Sequence, residues 1–336
     1  MSDIFTHVFI IHTQFQELVC QKIIDKLKSK KEGAEKFYAV YEGLEPVLIN
    51  FWDDRLIVDS CRGTIRDLSK SVVKEVSHFI ERKCLGKTRV YISDCAWPLN
   101  NILFSQFSDR NSFCFSLFMD GALIYFDPKV TKLQYLRGVA KGAYSLIKCG
   151  YIYRQMWGST IGWQSRRIDE VWGARLDLTN VPAQKIRSID FKKPCGKESE
   201  KRSGTLFIDQ PLHKSFKNKT GEDLSELIID KIKANFPPPY FYKEHHFQDQ
   251  DLENVFCHYE FTPVNEKQSV ENLKILEEVE VVVAISSTAL ITAKLIFDER
   301  VSCFHLLSLV NGVLMPKDLG SKISKLFEDL DIFPSR

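Results

Sequence analysis

The stretch HVFIIHTQFQELVCQKIIDKLK, residues 7–28, decides the fold class. Its first six residues place an apolar run between two histidines, which predicts a buried strand. From residue 17 onward, apolar side chains recur at close to helical spacing, at Leu18, Val19, Ile23, Ile24 and Leu27. They predict an amphipathic helix. A buried strand followed directly by such a helix is typical of parallel α/β units.

The same alternation recurs along the chain. Strands are predicted at 47–51, 55–59, 89–93 and 113–119, and helices at 69–83 and 134–148. Past a polar, basic stretch, further strands are predicted at 205–209, 240–243, 255–259, 279–285 and 301–306, and helices at 223–234, 288–297 and 317–330. The chain is therefore predicted to fold as two Rossmann-like domains facing a central cleft. Their bounds are 1–190 and 205–316, with a linker at 191–204 and a C-terminal segment, 317–336, whose helix is a candidate to cross back over the interface.

The composition of the chain argues against one class of function and indicates a cellular location. The chain has 336 residues, with 46 Lys and Arg against 44 Asp and Glu, a balance that argues against a nucleic-acid-coating protein. Nine cysteines without a CxxC pair indicate reduced thiols and a cytoplasmic location. Basic residues in the linker at 192, 193, 197, 201 and 202 make peripheral contact with the inner face of the cytoplasmic membrane a further possibility, although Glu198 and Glu200 dilute their charge.

Several common catalytic motifs are absent from the sequence. It contains no P-loop, GxGxxG, HExxH or GxSxG pattern. The triplet Asp249-Gln250-Asp251 could hold a metal on a nucleotide diphosphate, but it reads more simply as a polar loop. We therefore predict no metal site.

One candidate base follows an apolar strand. Asp120 and Gly121 come directly after 113–119, and Tyr125 lies close behind. An acid at the carboxyl end of a strand can act as a general base. The alternative is an ordinary Asp-Gly turn.

Two further candidates follow strands of the second domain. Lys243-Glu244-His245-His246 offers an imidazole that could contact a phosphate, with His245 preferred, or else a plain exposed loop. Ser286 and Ser287 precede a predicted helix, where hydroxyl groups and the helix N-terminus attract an anion, or where they simply cap the helix. Together these candidates offer a base, an imidazole and an anion-binding site, with no metal. This set suits transfer from a nucleotide donor whose leaving group carries a single phosphate.

These motifs together resemble bacterial sialyltransferases, including polysialyltransferases and lipooligosaccharide sialyltransferases. The family's acidic-acidic-Gly, Lys-x-His-Pro and Ser-Ser motifs correspond in order to 119–121, 243–246 and 286–287. The stretches 9–16 and 206–212 are also similar to the family, so the resemblance extends from about residue 6 to residue 307. Met119 stands where the family often has its first acid, and His246 where it has Pro.

The resemblance implies a GT-B fold, CMP-sialic acid as the donor, no cofactor, and inverting transfer to a sugar hydroxyl of a bacterial surface glycan that could be lipid-linked. Asp120 would be the base, and His245 would assist departure of the CMP phosphate. Donor binding would fall to Ser286, Ser287, Gln210, Pro211, Thr13 and Gln14, with Gly121, Tyr125, Lys243, His246 and Asp209 as further candidates.

Two other functions stay open on the sequence. The donor could be another CMP-activated acid sugar such as CMP-Kdo. Because Met119 and His246 depart from the family pattern, the chain could instead be a non-catalytic glycan- or nucleotide-binding subunit of a polysaccharide assembly complex.

Overall fold

A computed structural model of the chain describes residues 5–29, 35–47, 49–59, 64–84, 86–121, 123–192, 202–209, 224–244, 253–264, 270, 273–309 and 317–335. The chain divides into two compact units, Met1–Asp190 and Phe191–Arg336. Within the described ranges, no helix combines the length and the apolar character that crossing a membrane requires.

The first unit is built on a seven-stranded parallel sheet in the order β3-β2-β1-β4-β5-β6-β7. Its strands are β1 (Phe5–Ile11), β2 (Glu35–Glu42), β3 (Asp54–Val58), β4 (Lys87–Ile92), β5 (Phe113–Phe118), β6 (Ile168–Gly173) and β7 (Ile186–Ser188). Its helices are α1 (Gln14–Ser29), α2 (Lys70–Lys83), α3 (Pro98–Phe107), α4 (Leu123–Phe126) and α5 (Lys132–Cys149). Val8, Ile10 and Ile11 are completely buried, which explains the unbroken apolar run of β1.

The second unit is built on a six-stranded parallel sheet in the order β10-β9-β8-β11-β12-β13. Its strands are β8 (Thr205–Ile208), β9 (Tyr240–Lys243), β10 (Phe261–Pro263), β11 (Val281–Ala284), β12 (Ser302–His305) and β13 (Phe333–Pro334). Its helices are α6 (Leu224–Asn235), α7 (Glu253–His258), α8 (Thr288–Phe297) and α9 (Lys317–Asp329). Helix α9 packs within this unit, where the ring of Phe327 lies 5.1 Å from that of His305.

Two of the predicted strands are wrong. Residues 49–51 form a 3-10 turn, and the strand beside β1 is instead β2, whose apolar run the prediction missed. Residues 255–258 belong to α7, because Phe256 stacks on Tyr242 at 4.4 Å between ring centres and so anchors a helical turn on the sheet. The strand next to β9 comes three residues later, as β10.

The predicted class, two Rossmann-like parallel α/β units, is confirmed. In each sheet the chain first builds strands on one side of its opening strand and then crosses to the other side. This switch lies between β1 and β4 in the first unit and between β8 and β11 in the second. In open α/β sheets, ligands bind outside the carboxyl ends of the strands at such a switch point.

Candidate active sites at the carboxyl edges of the two sheets

Polar side chains gather at the carboxyl edge of the first sheet. His12 follows β1, Glu42 ends β2, Asp94 follows β4, and Asp120 follows β5. Because all of these strands are parallel, their carboxyl ends share one edge of the sheet. The group therefore spans the switch point between β1 and β4.

A buried charge pair forms the base of this group. His12 Nδ1 lies 3.1 Å from Glu42 Oε2, and the two side chains are only 3% and 0% exposed. Trp97 donates from its indole Nε1 to the same carboxylate oxygen at 2.9 Å. The His12 and Trp97 rings also pack together, with their centres 4.7 Å apart.

His12 is held on its other side as well. Its Nε2 lies 3.1 Å from Asn100 Oδ1, and Asn100 in turn donates to Ser93 Oγ at 3.3 Å. Burial acts to lower the pKa of His12, but the contacts with Glu42 and Asn100 and the charge of Asp94 outweigh it, so this pKa is raised. The ring is therefore more basic than an ordinary histidine; its protonated form donates through Nε2 to Asn100 Oδ1 and carries a charge opposite to that of the Glu42 carboxylate.

Asp120 lies at the rim of this group and is partly exposed. The Gln16 side chain donates a hydrogen bond to it, while Gln16 Oε1 accepts from the His12 backbone N–H at 2.7 Å. Burial and the charge of Asp94 raise the pKa of Asp120, and the Gln16 hydrogen bond and the charge of His12 only partly offset this. Asp120 is thus a stronger base than a free aspartate, still reachable from solvent, which suits proton abstraction.

Asp94 shapes the loop between β4 and α3. Its Oδ1 accepts from the backbone N–H groups of Ala96 and Trp97 at 2.6 and 2.7 Å, and its Oδ2 accepts from the Ser93 hydroxyl at 3.1 Å. These bonds form a side-chain-capped turn directly before α3, the helix that carries Asn100.

The other candidates in this unit have local roles. Thr13 Oγ1 accepts from the Gln16 N–H at 3.2 Å at the start of α1, and Gln14 is the first residue of that helix. Gly121 has φ 59°, a left-handed conformation that favours glycine. The Tyr125 hydroxyl donates to Ala174 O at 2.8 Å in a buried position, so it fastens α4 to the segment after β6.

In the second unit, two described candidates lie where β8 and β9 end. Asp209 is completely buried and accepts from the Tyr242 hydroxyl at 2.7 Å. Its backbone N–H donates to Lys243 O at 3.0 Å, and the Lys243 ammonium group donates to Glu244 O at 3.2 Å. Gln210, Pro211, His245 and His246 lie outside the described residues, and so do Asp249 and Asp251.

Ser286 and Ser287 lie between β11 and the start of α8, as the sequence predicted. Ser287 Oγ accepts from the Ala289 N–H at 3.1 Å, so Ser287 is the N-cap of α8. Ser286, one residue earlier, is partly exposed. Ser287 therefore caps the helix, and its hydroxyl lies at a helix N-terminus, an end that also favours negative charge.

Sequence reasoning missed most of the partners of Asp120. His12 and Gln16 lay within a stretch that the family resemblance covered but were not chosen as site residues, and Asp94 and Asn100 were not considered. Glu42 was missed because β2 was missed; the apolar run of β2 before Gly43 was the available signal. Among the residues that the structure describes, no cluster of His, Cys, Asp and Glu is arranged to hold a metal ion.

Comparisons with known proteins bear on the fold. No family model matches the sequence, and no curated protein sequence matches it significantly. The GT-B domain of a Photobacterium damselae sialyltransferase is similar, with TM-score 0.57, 12% identity, and 98% of this chain and 99% of that chain covered. A 2,6-sialyltransferase from Photobacterium sp. JT-ISH-224, solved with CMP and lactose, gives TM-score 0.57 and 12% identity over 98% and 78% of the two chains.

A putative UDP-N-acetylglucosamine 2-epimerase from Listeria monocytogenes is also similar, with TM-score 0.52 and 10% identity over 98% of this chain and 88% of that chain. Likenesses at such low identity bear on the fold alone. They confirm the predicted GT-B fold, which the two sialyltransferases and the epimerase share.

Proposed function

We propose that the chain is an inverting sialyltransferase that transfers sialic acid from CMP-sialic acid to a sugar hydroxyl. The observation that carries the proposal is Asp120, a partly exposed carboxylate with a raised pKa at the carboxyl edge of the first sheet, one strand beyond the switch point. The order of the three sequence motifs and the presence of CMP and lactose in one similar structure support this choice of donor and acceptor class.

In this mechanism Asp120 removes the proton of the acceptor hydroxyl as its oxygen attacks the anomeric carbon of sialic acid. The bond to the CMP phosphate breaks in the same displacement, which inverts the configuration. Ser286 and Ser287 hold phosphate oxygens at the N-terminus of α8, where the helix dipole favours the charge that develops. His245 is proposed to assist the departure of CMP.

The proposal extends to substrates and location. Donor contacts are assigned to Gln210, Pro211, Thr13 and Gln14, with the roles taken from the family resemblance. The acceptor is proposed to be galactose or sialic acid of a bacterial surface glycan such as O-antigen, lipooligosaccharide or capsule. No metal and no cofactor take part, and the enzyme is proposed to work in the cytoplasm at the inner face of the cytoplasmic membrane.

The direct test replaces Asp120 with Asn and follows CMP release from CMP-sialic acid in the presence of lactose. General-base catalysis contributes about 10²- to 10⁴-fold to a rate, so a loss of that size is expected. Asp59→Asn is the matched control, since Asp59 also follows a parallel strand of the same sheet but lies four strands away, after β3. Equal turnover in wild type and Asp120→Asn, or an equal loss in the control, would contradict the mechanism.

A nucleotide-sugar epimerase is the second candidate function. It is favoured by the shared fold of the Listeria monocytogenes protein and by two acidic side chains, Asp94 and Asp120, whose charges interact at the same edge of the sheet. Assays with CMP-sialic acid, CMP-Kdo and UDP-N-acetylglucosamine as substrates distinguish these candidate functions. Conversion of the UDP-sugar alone would overturn the transferase proposal, transfer from CMP-Kdo alone would change its donor, and tight CMP binding without any turnover would favour a non-catalytic subunit.

A further inference from the structure

Helix α5 packs against the body of its unit through its smallest residues. Gly138, Gly142, Ser145 and Cys149 are its buried positions. The following segment crosses this face so closely that a Cβ on Gly142 would lie 2.6 Å from Tyr153 O. Ser145 Oγ donates to Tyr151 O at 2.8 Å. These contacts hold the helix in one rotational setting.

The opposite face of α5 is apolar and faces solvent. Ile147 is 86% exposed and Leu136 is 65% exposed. The helix also exposes Leu133, Val139, Tyr144 and Leu146, so it carries six of the fourteen large hydrophobic side chains that are exposed among the described residues. Because isolated exposed apolar residues are ordinary but a concentration of them is not, this face calls for a partner.

The charge of α5 has one sign. Its eighteen residues include Lys132, Arg137, Lys141 and Lys148 and no Asp or Glu. At 100° per residue, Leu136 and Ile147 lie about opposite the buried glycines, Arg137 and Lys148 lie on one flank of the apolar face, and Lys132 lies within it, between Leu136 and Val139. Trp157 is also exposed, and its ring lies 5.2 Å from that of Tyr135 near the start of the helix.

We propose that α5 binds the surface of an anionic lipid bilayer, with its axis in the plane of the membrane. A wide apolar face that carries only basic charge, with Arg137 and Lys148 along one border and an aromatic residue beside it, is the pattern of helices that lie in the bilayer interface. The apolar side chains enter the boundary of the acyl chains while the basic groups reach the phosphates of the headgroups. A second copy of the chain fits less well, because pairing two such faces would bring two sets of basic residues together.

Residues 151–155, which pack against the buried face of α5, also contact the candidate active site. The Tyr153 hydroxyl donates to Ala96 O at 3.2 Å, and the Arg154 N–H donates to Asn101 Oδ1 at 2.7 Å, next to Asn100 on α3. A membrane-bound α5 is thus joined through residues 151–155 to the helix that contacts His12. This inference concerns lipid binding and does not depend on the proposed transfer reaction.

The experiment is vesicle flotation of the full chain. Vesicles of phosphatidylcholine are compared with vesicles of phosphatidylcholine and phosphatidylglycerol. Wild type is expected to float with the anionic vesicles and to be released by raised salt. Leu136→Gln with Ile147→Gln should lower the bound fraction at least about tenfold, because two large apolar side chains no longer enter the bilayer. Arg137→Glu with Lys148→Glu should weaken binding to anionic vesicles selectively.

Matched controls alter similar residues on the second unit. Leu227→Gln on α6 removes another exposed leucine, and Lys322→Glu with Lys325→Glu on α9 reverses two exposed charges. Both should leave flotation unchanged. Circular dichroism and thermal melting of every variant verify that it is folded.

Three results would overturn the proposal. The first is a wild type that stays unbound on both kinds of vesicle, and the second is binding that the α5 variants do not change. The third is a concentration-dependent dimer in light scattering, without lipid binding, that Leu136→Gln with Ile147→Gln dissociates.

Discussion

The carboxyl edges of the two sheets hold their polar groups in different ways. In the first unit, His12, Glu42 and Asp120 belong to one connected group, in which Glu42 raises the pKa of His12 and the charge of His12 lowers the pKa of Asp120. In the second unit, Asp209 and Ser287 are each satisfied locally, by a tyrosine hydroxyl and by a helix N–H. The carboxyl edge of the first sheet is therefore suited to proton transfer and that of the second sheet to anion binding, although both sheets have the same strand topology.

The largest expected change in the free energy of unfolding concerns the buried pair of His12 and Glu42 in the first unit. Glu42→Gln leaves the His12 imidazolium buried without its countercharge, which should lower the free energy of unfolding by about 3–5 kcal/mol. Because the pKa of His12 is raised above 6.5, the pair's contribution is complete below pH 6.5 and is lost as the pH rises through the raised value. Denaturant titrations on both sides of pH 6.5 measure this. The double variant His12→Gln with Glu42→Gln should lose less than Glu42→Gln alone, and equal losses would show that no pair exists.

The next effect is on the buried acid of the second unit. Tyr242→Phe removes the hydroxyl that donates to Asp209, which should cost about 1.5–3 kcal/mol of unfolding free energy because the acceptor is a buried carboxylate. Tyr240→Phe is the matched control on the same strand. Its hydroxyl donates to a neutral carbonyl, Phe236 O, at 3.1 Å, so the loss should be nearer 1 kcal/mol. Equal losses in urea titrations would contradict a stronger hydrogen bond to Asp209 than to the Phe236 carbonyl.

A smaller effect is expected at the predicted anion-binding site. Ser287→Ala removes the N-cap of α8 and should lower the free energy of unfolding by about 1 kcal/mol. The same change should weaken CMP binding, measured by calorimetry. Ser69→Ala removes the N-cap of α2, where Ser69 Oγ accepts from the Val72 N–H at 3.2 Å, so it should match the loss of stability and leave CMP affinity unchanged. If both variants bind CMP as wild type does, Ser287 is a cap and nothing more.

The smallest expected effect is a shift in a pH profile. The charge of Asp94 raises the pKa of Asp120 and that of His12 lowers it. Asp94→Asn, which keeps the oxygen that accepts from Ala96 and Trp97, should therefore move the acidic limb of turnover to lower pH. His12→Gln should move it to higher pH. Asp109→Asn, at an exposed site paired with Arg167, should leave the limb in place. Shifts in the same direction in both variants would contradict Asp120 as the base.

Much of the fold was predictable because apolar periodicity is a local signal. The helix predicted at 288–297 has the observed bounds, and the strands predicted at 7–12 and 113–119 lie within one or two residues of β1 and β5. Two short elements, the strands predicted at 47–51 and 255–259, were wrong. Residues 255–258 read as a strand until Phe256 is seen to pack as part of a helix on Tyr242.

The candidate site was predictable only residue by residue. Asp120 and Ser287 were identified because each directly follows a recognisable strand. Glu42 was not identified, because only the parallel pairing of β1 with β2 places it near His12, thirty residues earlier in the chain. A pairing between residues far apart in the chain leaves no local pattern in a single sequence.

The two histidines of HVFIIH show which properties the sequence determines and which depend on the tertiary structure. The sequence by itself determined that both border the apolar run of a buried strand, because such a run excludes water from the strand. Only the tertiary structure decided their chemistry. Burial and the charge of Arg89 lower the pKa of His7 to about 3, while Glu42 and Asn100 overcome burial and raise the pKa of His12. The physical reason is that a buried group's pKa depends on the charges that folding brings beside it, and these come from other strands.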